Sequence, residues 1–429
     1  MGRSRASTVA ALACAAVLLA ACQKATTNPA STDISATDDG TTITMWTRSL
    51  MGSFAEQLID EYNATHRNKI KLTVMPDDSY QQRIGAAAGA HQLPDLLAVD
   101  VLYAPNYASK GVFLDMTARV DTLPYRAELA TSHMRAATHE GRAYGVPFDI
   151  DVAALFYNKA LFIAAGLDGD TPPSSLAELH TFAKRINELG DGVHGFTFAG
   201  ACPSCMLVST WPMIWASGSS VLNEEGTAST IDNPIAGDVL DLYGRMYAEG
   251  LVPPSAKNES GPTWTREFSN GRVGMQAMGA TALQNIREGT ELQVGVAAVP
   301  GLSGGESSFV GGDVLGIGAN SRHAAQAWDF ISWMLSEDTQ VNVLALNKNV
   351  TVRRDLANNV YAEQDPRLVI LTKLAGLGQT PFAVNFGKTY NDPNGPWMFA
   401  VADAVFGDGP AAPTLERHND DITRSLAGD

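Results

Sequence analysis

Charge is scarce in this chain of 429 residues: Asp, Glu, Lys and Arg together make up 18% of it, and 30 basic residues face 46 acidic ones. The formal net charge of -16 disfavours nucleic acid and anionic surfaces, which require a basic footprint. It is only a weak guide to a small ligand, because a local basic pocket overrides the mean field. Metal-ligand spacing is also missing. His133 and His139 stand six apart, and no other His, Cys or carboxylate group has a recognisable spacing, so no metal is expected. There is no P-loop and no G-x-G-x-x-G dinucleotide turn set between a strand and a helix, which leaves no cofactor to expect. Past the N-terminus, no apolar stretch approaches the length of a membrane span.

Cysteine is nearly absent, with four residues, too few for a disulfide scaffold. Cys14 lies in an apolar run from Thr8 to Ala21 that follows Arg3 and Arg5, the pattern of a secretion signal. LAAC at 19–22 looks like a bacterial lipobox, in which Cys22 becomes the lipidated first residue. Residues 22–41 hold almost no large apolar group and read as a flexible tether. Without residues 1–21, which carry two arginines and no acid, 28 basic residues face 46 acidic ones and the formal charge becomes -18. Cys202 and Cys205 remain as a close pair in an oxidising compartment. A local disulfide is the main expectation; a thioredoxin-like redox centre lacks its βαβ context, and free thiols are the other alternative.

What the chain does have is 45% hydrophobic residues, 39 glycines and a length that calls for two domains. Its most informative stretch is GRAYGVPFDIDVAALFYNKALFIAAG, residues 141–166. Gly141 suits the tip of a turn, and Tyr144, Val146 and Phe148 alternate as a half-buried strand would. Pro147 restricts that strand to an edge or an irregular crossing. The run from Val152 to Tyr157 reads as a strand covered on both faces. Asp149 and Asp151 share a face by the period of two, and there they must find partners or meet a wet opening. Asn158 and Lys159 then lead into a short helix stopped by Gly166.

This stretch resembles a segment of the family 1 extracellular solute-binding proteins, the substrate receptors of bacterial ABC importers, many of which bind sugars. Further motifs resemble the family's in the same order. They are ITMW (43–46) with a helix from Phe54 to Ile70, LPDLLAVD (93–100) with GVFLD (111–115), and PPSSLAEL (172–179), where Ser175 and Glu178 fit a capping box. WPMIWASG (211–218), FSNGRVGM (268–275) and GGDVLGI (311–317) complete the set, so the resemblance covers roughly residues 41–429. Leu176 stands where the family has a tryptophan, a departure that bears on helix packing.

The resemblance implies a two-lobed, periplasmic-binding-protein-like α/β fold of type II, with the ligand in a cleft between lobes that the chain crosses more than once. Lobe 1 is expected at 42–150 plus 311–355, and lobe 2 at 151–310 plus 356–429. The implied function is capture of a carbohydrate or related solute and its delivery to an ABC permease, without catalysis, by a monomer lipid-anchored outside the cell membrane. Monosaccharides, oligosaccharides and glycerophosphodiesters all fall within that class. Sugars need flat rings for their C–H faces and Asp, Asn or Arg groups for their hydroxyl rims. The matching motifs imply Arg48, Tyr80, Asp100, Asp149, Asp151, Trp211, Trp215, Gly279, Gly312 and Asp313 as ligand-binding residues, with Asn385 and Trp397 from the C-terminal part. For each tryptophan, core packing is the competing reading; Trp328 and Trp333, five apart on a helix from Ala324 to Leu335, are read as core.

The alternative is a secreted glycoside hydrolase. Its two carboxylates must flank the scissile bond, whereas Asp149 and Asp151 would point in parallel from one side. A hinge or salt-bridge role for the pair stays open. GLSGG at 301–305 formally matches a nucleophile elbow, but no helix-forming sequence follows it, so it is read as a loop.

Overall fold

The structure, a computed structural model, describes residues 35–428 apart from Val384. The expected signal segment 1–21, the lipidation site Cys22 and tether residues 22–34 lie outside the described residues. Strands are β1 (Thr42–Arg48), β2 (Lys69–Met75), β3 (Leu96–Asp100), β4 (Thr138–His139), β5 (Arg142–Ala143) and β6 (Val146–Asn158). They continue with β7 (His194–Thr197), β8 (Val273–Gly279), β9 (Val294–Ala297), β10 (Val299–Pro300), β11 (Glu306–Ser307) and β12 (Val310–Ile317). The main sheet runs β2-β1-β3-β12-β6-β8-β7, and β9 also pairs with β6.

The sheet is buried on both faces, as its near-continuous apolar runs require. On β3, Leu96 and Ala98 enter one core with Ala55, Leu58 and Ile331, while Leu97 and Val99 enter another with Tyr80, Ile84 and Tyr107. Each such aliphatic or aromatic burial is worth roughly 1.5–3 kcal/mol. Trp328 lies in the first core, and Trp333 packs against it, on the helix Ala324–Met334.

β6 is the spine. Phe148, Ile150, Val152, Ala154 and Phe156 enter one core and Ala153, Leu155 and Tyr157 the other, so Asp149 and Asp151 occupy the latter face. Its first half pairs with β12, from Val146 opposite Leu315 to Val152 opposite Val310. Its second half pairs with β8 and β9 instead. One 13-residue strand thus joins two sheet regions, changing partners at Val152 and Ala153. Pro147, which has no N–H for a regular ladder, coincides with a one-residue register shift against β12.

The local readings hold with adjustments. Glu140 and Gly141 form the β4–β5 tip with φ of 49° and 75°. Asn158 caps the helix Lys159–Ala164 by accepting from the Ala160 N–H. Ser175 caps Leu176–Asn187, but Glu178 reaches back to the Ser174 N–H and hydroxyl (both 2.8 Å) rather than to Ser175. Leu176, in place of the family's tryptophan, is buried beneath this helix.

The first helix is shorter than its spacing predicted. It spans Gly52–Thr65, and Lys69 and Ile70 already belong to β2. The reason is Asn68, whose amide oxygen accepts from the N–H groups of Asp39, Gly40 and Thr41 and whose amide nitrogen donates to the Thr37 carbonyl. These bonds tie residue 68 to the segment before β1 and end the helix.

Candidate functional site

A row of charged side chains crosses the sheet where β1, β3, β12 and β6 lie side by side. Asp313 stands opposite Asp100 on one neighbour and opposite Asp149 on the other. Opposed residues of antiparallel strands share a face. Arg48, the last residue of β1, donates to Asp313 from Nε (3.1 Å) and Nη2 (2.5 Å), and its Nη1 lies 3.3 Å from Asp100 Oδ2. Asp313 is fully buried, and burial pushes its carboxyl up while Arg48 pulls it back. The guanidinium is correspondingly held more firmly protonated, because the attraction of Asp313 and Asp100 outweighs its own desolvation. Asp100 also accepts from the Leu102 N–H, which fixes the turn after β3.

Gly312, with φ of 108°, shapes this row. A side chain there would strike the Asp149 carbonyl oxygen at 2.2 Å. Gly279 does the same for Asp151, since a Cβ would sit 2.3 Å from Asp151 Oδ2. The Asp151 carboxyl accepts from the Thr281 N–H (3.1 Å). Burial pushes this carboxyl up, and the Thr281 hydrogen bonds oppose that shift. Asp149 is 2% exposed and its Oδ2 has no partner. Burial, then the charges of Asp151 and Asp313, hold it well above the usual carboxylate range.

An aromatic cluster forms around Trp211. Trp215, Phe386, Tyr390 and Trp397 meet its ring edge-on at centroid distances of 5.8, 5.9, 4.9 and 5.9 Å, and Phe309 lies tilted at 6.4 Å. Trp211 and Trp215 are four apart on the helix Pro203–Ala216 and therefore share its face. Trp215 stacks on Phe309, which lies four residues before Asp313 and so ties the cluster to the charged row. Trp211 and Trp397 are fully buried, and neither indole N–H has a partner. Tyr103, three residues after Asp100, reaches the same region: its hydroxyl accepts from Asn391, and its ring lies where a Cβ on Gly387 would be.

Two residues named from the sequence have other partners. Tyr80 is buried with its hydroxyl donating to the Ala98 carbonyl (2.8 Å), which pins its helix to β3. Asn385 donates to the Leu426 carbonyl (2.9 Å) and so serves the C-terminal helix. Conversely, the structure adds Tyr103, Thr281, Phe309, Phe386 and Tyr390 to these two groups of side chains. Phe386 and Tyr390 had a signal, four apart and close to Trp397. Thr281 follows Gly279 by two residues, but nothing in its spacing marks it.

Other features are already satisfied internally. A cavity of about 810 Å³ lies between β9 and the helix Pro366–Leu377. Its cations are paired: Lys159 with Asp170 (2.7 Å), Arg367 with Glu288 and Asp365 (2.7 and 2.8 Å), and Lys373 with Glu306 (3.0 Å). GLSGG spans the β10–β11 hairpin rather than a strand-to-helix elbow. Cys202 and Cys205 are joined by a disulfide at the start of the helix that carries Trp211. Among the described residues, no three His, Cys, Asp or Glu side chains are arranged to hold a metal ion, and no helix is long and apolar enough to cross a membrane.

Asp149 and Asp151 project from one face of one strand rather than from opposite sides of a substrate. The diacetylchitobiose binding protein of Streptomyces coelicolor is 23% identical over 394 residues, covering 87% of each chain. Among solved structures, a Thermotoga lettingae ABC transporter solute-binding protein bound with alpha-D-tagatose superposes with a TM-score of 0.78 at 20% identity, covering 90% of this chain and 100% of that one. The GacH receptor of Streptomyces glaucescens, studied unliganded and with acarbose, gives 0.78 at 21% identity, with 90% and 99% covered. These likenesses establish the two-lobed α/β architecture of such receptors. Residues 47–341 match the family described as bacterial extracellular solute-binding protein, and the chain belongs to that family of binding proteins.

Proposed function

We propose that this protein captures a carbohydrate or closely related polyol-like solute outside the cell and delivers it to an ABC transporter permease. The observation that carries the reading is that two kinds of group lie toward the same face of the sheet. The Arg48, Asp100, Asp313, Asp149 and Asp151 row supplies hydrogen bonds for hydroxyl rims, and the Trp211 cluster supplies flat apolar faces. Hinge closure of the lobes excludes water and strengthens these bonds. Gly279 and Gly312 act by making room, while Tyr80 and Asn385 support the frame.

The lobes run over 42–150 with 311–355 and over 151–310 with 356–429, the chain crossing between them on β6 and β12. Cys22 carries the lipid that holds the protein at the outer face of the cell membrane, and the receptor works as a monomer. The names of the relatives support a sugar; glycerophosphodiesters are the nearest competing class, and sn-glycerol-3-phosphate-binding proteins occur among the relatives. A thermal-shift screen over monosaccharides, oligosaccharides, amino sugars and glycerophosphodiesters tests this. A saccharide at a hundredfold over its Kd adds about 2.7 kcal/mol of stability. Stabilisation by glycerophosphodiesters alone would move the solute class, and turnover of a glycoside would overturn the receptor reading.

A further inference from the structure

Four carboxyls share the charged row with one guanidinium, and the cation is fully committed. Arg48 is bound to Asp313 and Asp100. Asp151 is met by the Thr281 N–H. Asp149 lies opposite Asp313 and two residues from Asp151 on the same face of β6, is 2% exposed, and keeps Oδ2 without a partner. Buried like charges in neighbouring register positions, with no cation between them, do not ionise together; one keeps a proton.

We propose that Asp149 is the proton-bearing residue of the site, a neutral carboxylic acid at neutral pH that offers a hydrogen-bond donor, where its neighbours offer acceptors, to an ether or hydroxyl oxygen of the solute. The donor role rests on the reading of this face as the solute face; the proton does not. Every element around Asp149 agrees with the assignment. β12 brings Asp313, β6 brings Asp151 and β3 brings Asp100, all acidic. The helix Asp77–Gly89 adds Asp77, whose charge is felt at Arg48 and Asp313, and Tyr80, which is buried with its phenol protonated. The helix Thr131–Ala136 contributes His133, whose ring lies against the backbone of Asp149 and Gly311 and is pushed down to about 4 by burial, so it is neutral and supplies no cation. Among the described residues, Arg48 is the opposing charge; its hydrogen bonds and ion pair go to Asp313 and Asp100, and its pull on Asp149 is smaller than the push of burial, Asp151 and Asp313.

The sign follows. A carboxyl whose pKa is raised on folding, from about 3.9 in the unfolded chain, contributes stability that is present below the unfolded value. That contribution is lost as pH rises through the folded value. Asp149→Asn keeps the shape and a donor but cannot titrate.

Infrared difference spectra of the full chain, wild type minus Asp149→Asn at neutral pH, are expected to show the C=O stretch of a protonated carboxyl, and Asp151→Asn is expected to retain it. Urea unfolding from about pH 5 to about pH 8 is expected to show the variant gaining on the wild type as pH rises, by up to about tenfold in the unfolding constant per pH unit. No band and a pH-independent difference would overturn the assignment. Should Asp149→Asn fail to fold, the wild type labelled with ¹³C-aspartate and its carboxyl resonances assigned decides alone: a protonated Asp149 at neutral pH supports the proposal, and an ionised Asp149 refutes it. Neither readout uses a solute, so a failed saccharide screen leaves the proton assignment standing, and a missing band leaves the receptor reading standing.

Discussion

Gly279 and Asp151 meet across the β6–β8 pairing so closely that the glycine's missing side chain is part of the site: a Cβ would sit 2.3 Å from Asp151 Oδ2 and 2.7 Å from Oδ1. Those atoms are the end of a short, half-buried side chain. It can rotate away, but only by giving up the Thr281 N–H. Gly279→Ala is therefore expected to fold, with a loss of stability of about 1–3 kcal/mol from overpacking. Solute affinity should fall by at least about tenfold, the equivalent of one lost hydrogen bond to a charged group. Calorimetric titration beside a urea melt separates the two effects, and unchanged affinity would remove Asp151 from the solute contacts.

Arg48 holds two carboxyls, Asp313 and Asp100, that pair with no other cation among the described residues. Arg48→Met is expected to cost about 3–5 kcal/mol, the range for breaking a buried pair and leaving its partner uncompensated. Arg48→Lys should recover only part of this, because an ammonium cannot reproduce the Nε and Nη2 fork on Asp313. Chemical denaturation of the three chains checks the order; a methionine variant as stable as the wild type would show that the pair does not support the fold.

His133 gives the opposite pH dependence to Asp149. Its pKa is pushed down to about 4 by burial, so its contribution is complete above the unfolded value of about 6.5 and is lost as pH falls toward the folded value. Across that window the wild type should lose stability relative to His133→Gln, by up to about tenfold in the unfolding constant per pH unit. Unfolding midpoints of the two chains measured over the window should converge on acidification; parallel curves would mean that His133 does not change its charge on unfolding.

The sequence revealed the frame more readily than the contacts. The apolar patterns at 144–148 and 152–157 were legible as two strands and Pro147 announced the irregular pairing with β12, but the structure joins them into one strand, β6, whose first half is buried rather than half-buried because β12 and two cores cover it. Cys202 and Cys205 were legible as a pair by proximity alone. The end of the first helix was not, because the stop is set by Asn68 reaching residues about 28 positions earlier, a tertiary effect that local spacing does not carry. Nor was the role of Tyr80 visible: a tyrosine on a helix near a cleft reads the same whether its hydroxyl meets a solute or, as here, the Ala98 carbonyl. The partnership of Trp211 with Trp397 joins positions 186 residues apart, and only the fold brings them together.

Trp211 sits at the centre of its cluster, and Trp211→Ala is expected to cost about 3–5 kcal/mol. Trp211→Phe should lose much less stability while removing the indole donor. A phenylalanine variant that binds a saccharide as tightly as the wild type would assign Trp211 to packing alone.

The disulfide closes a loop too short to constrain the unfolded chain strongly, so replacing both Cys202 and Cys205 by serine is expected to cost at most about 2 kcal/mol. Affinity for a saccharide should be largely unchanged. Loss of binding with the fold intact would instead give the pair a role in ordering the helix that carries Trp211 and Trp215.

The most direct measurement is a calorimetric titration of the wild type and Asp151→Ala with the saccharide that stabilises the protein most in the thermal screen, diacetylchitobiose being included in that screen, with the recovered solute analysed afterwards. The account predicts saturable binding by the wild type, affinity at least about tenfold weaker in the variant, and a solute recovered intact. Equal affinity in the two chains, or cleavage of the solute, would contradict it.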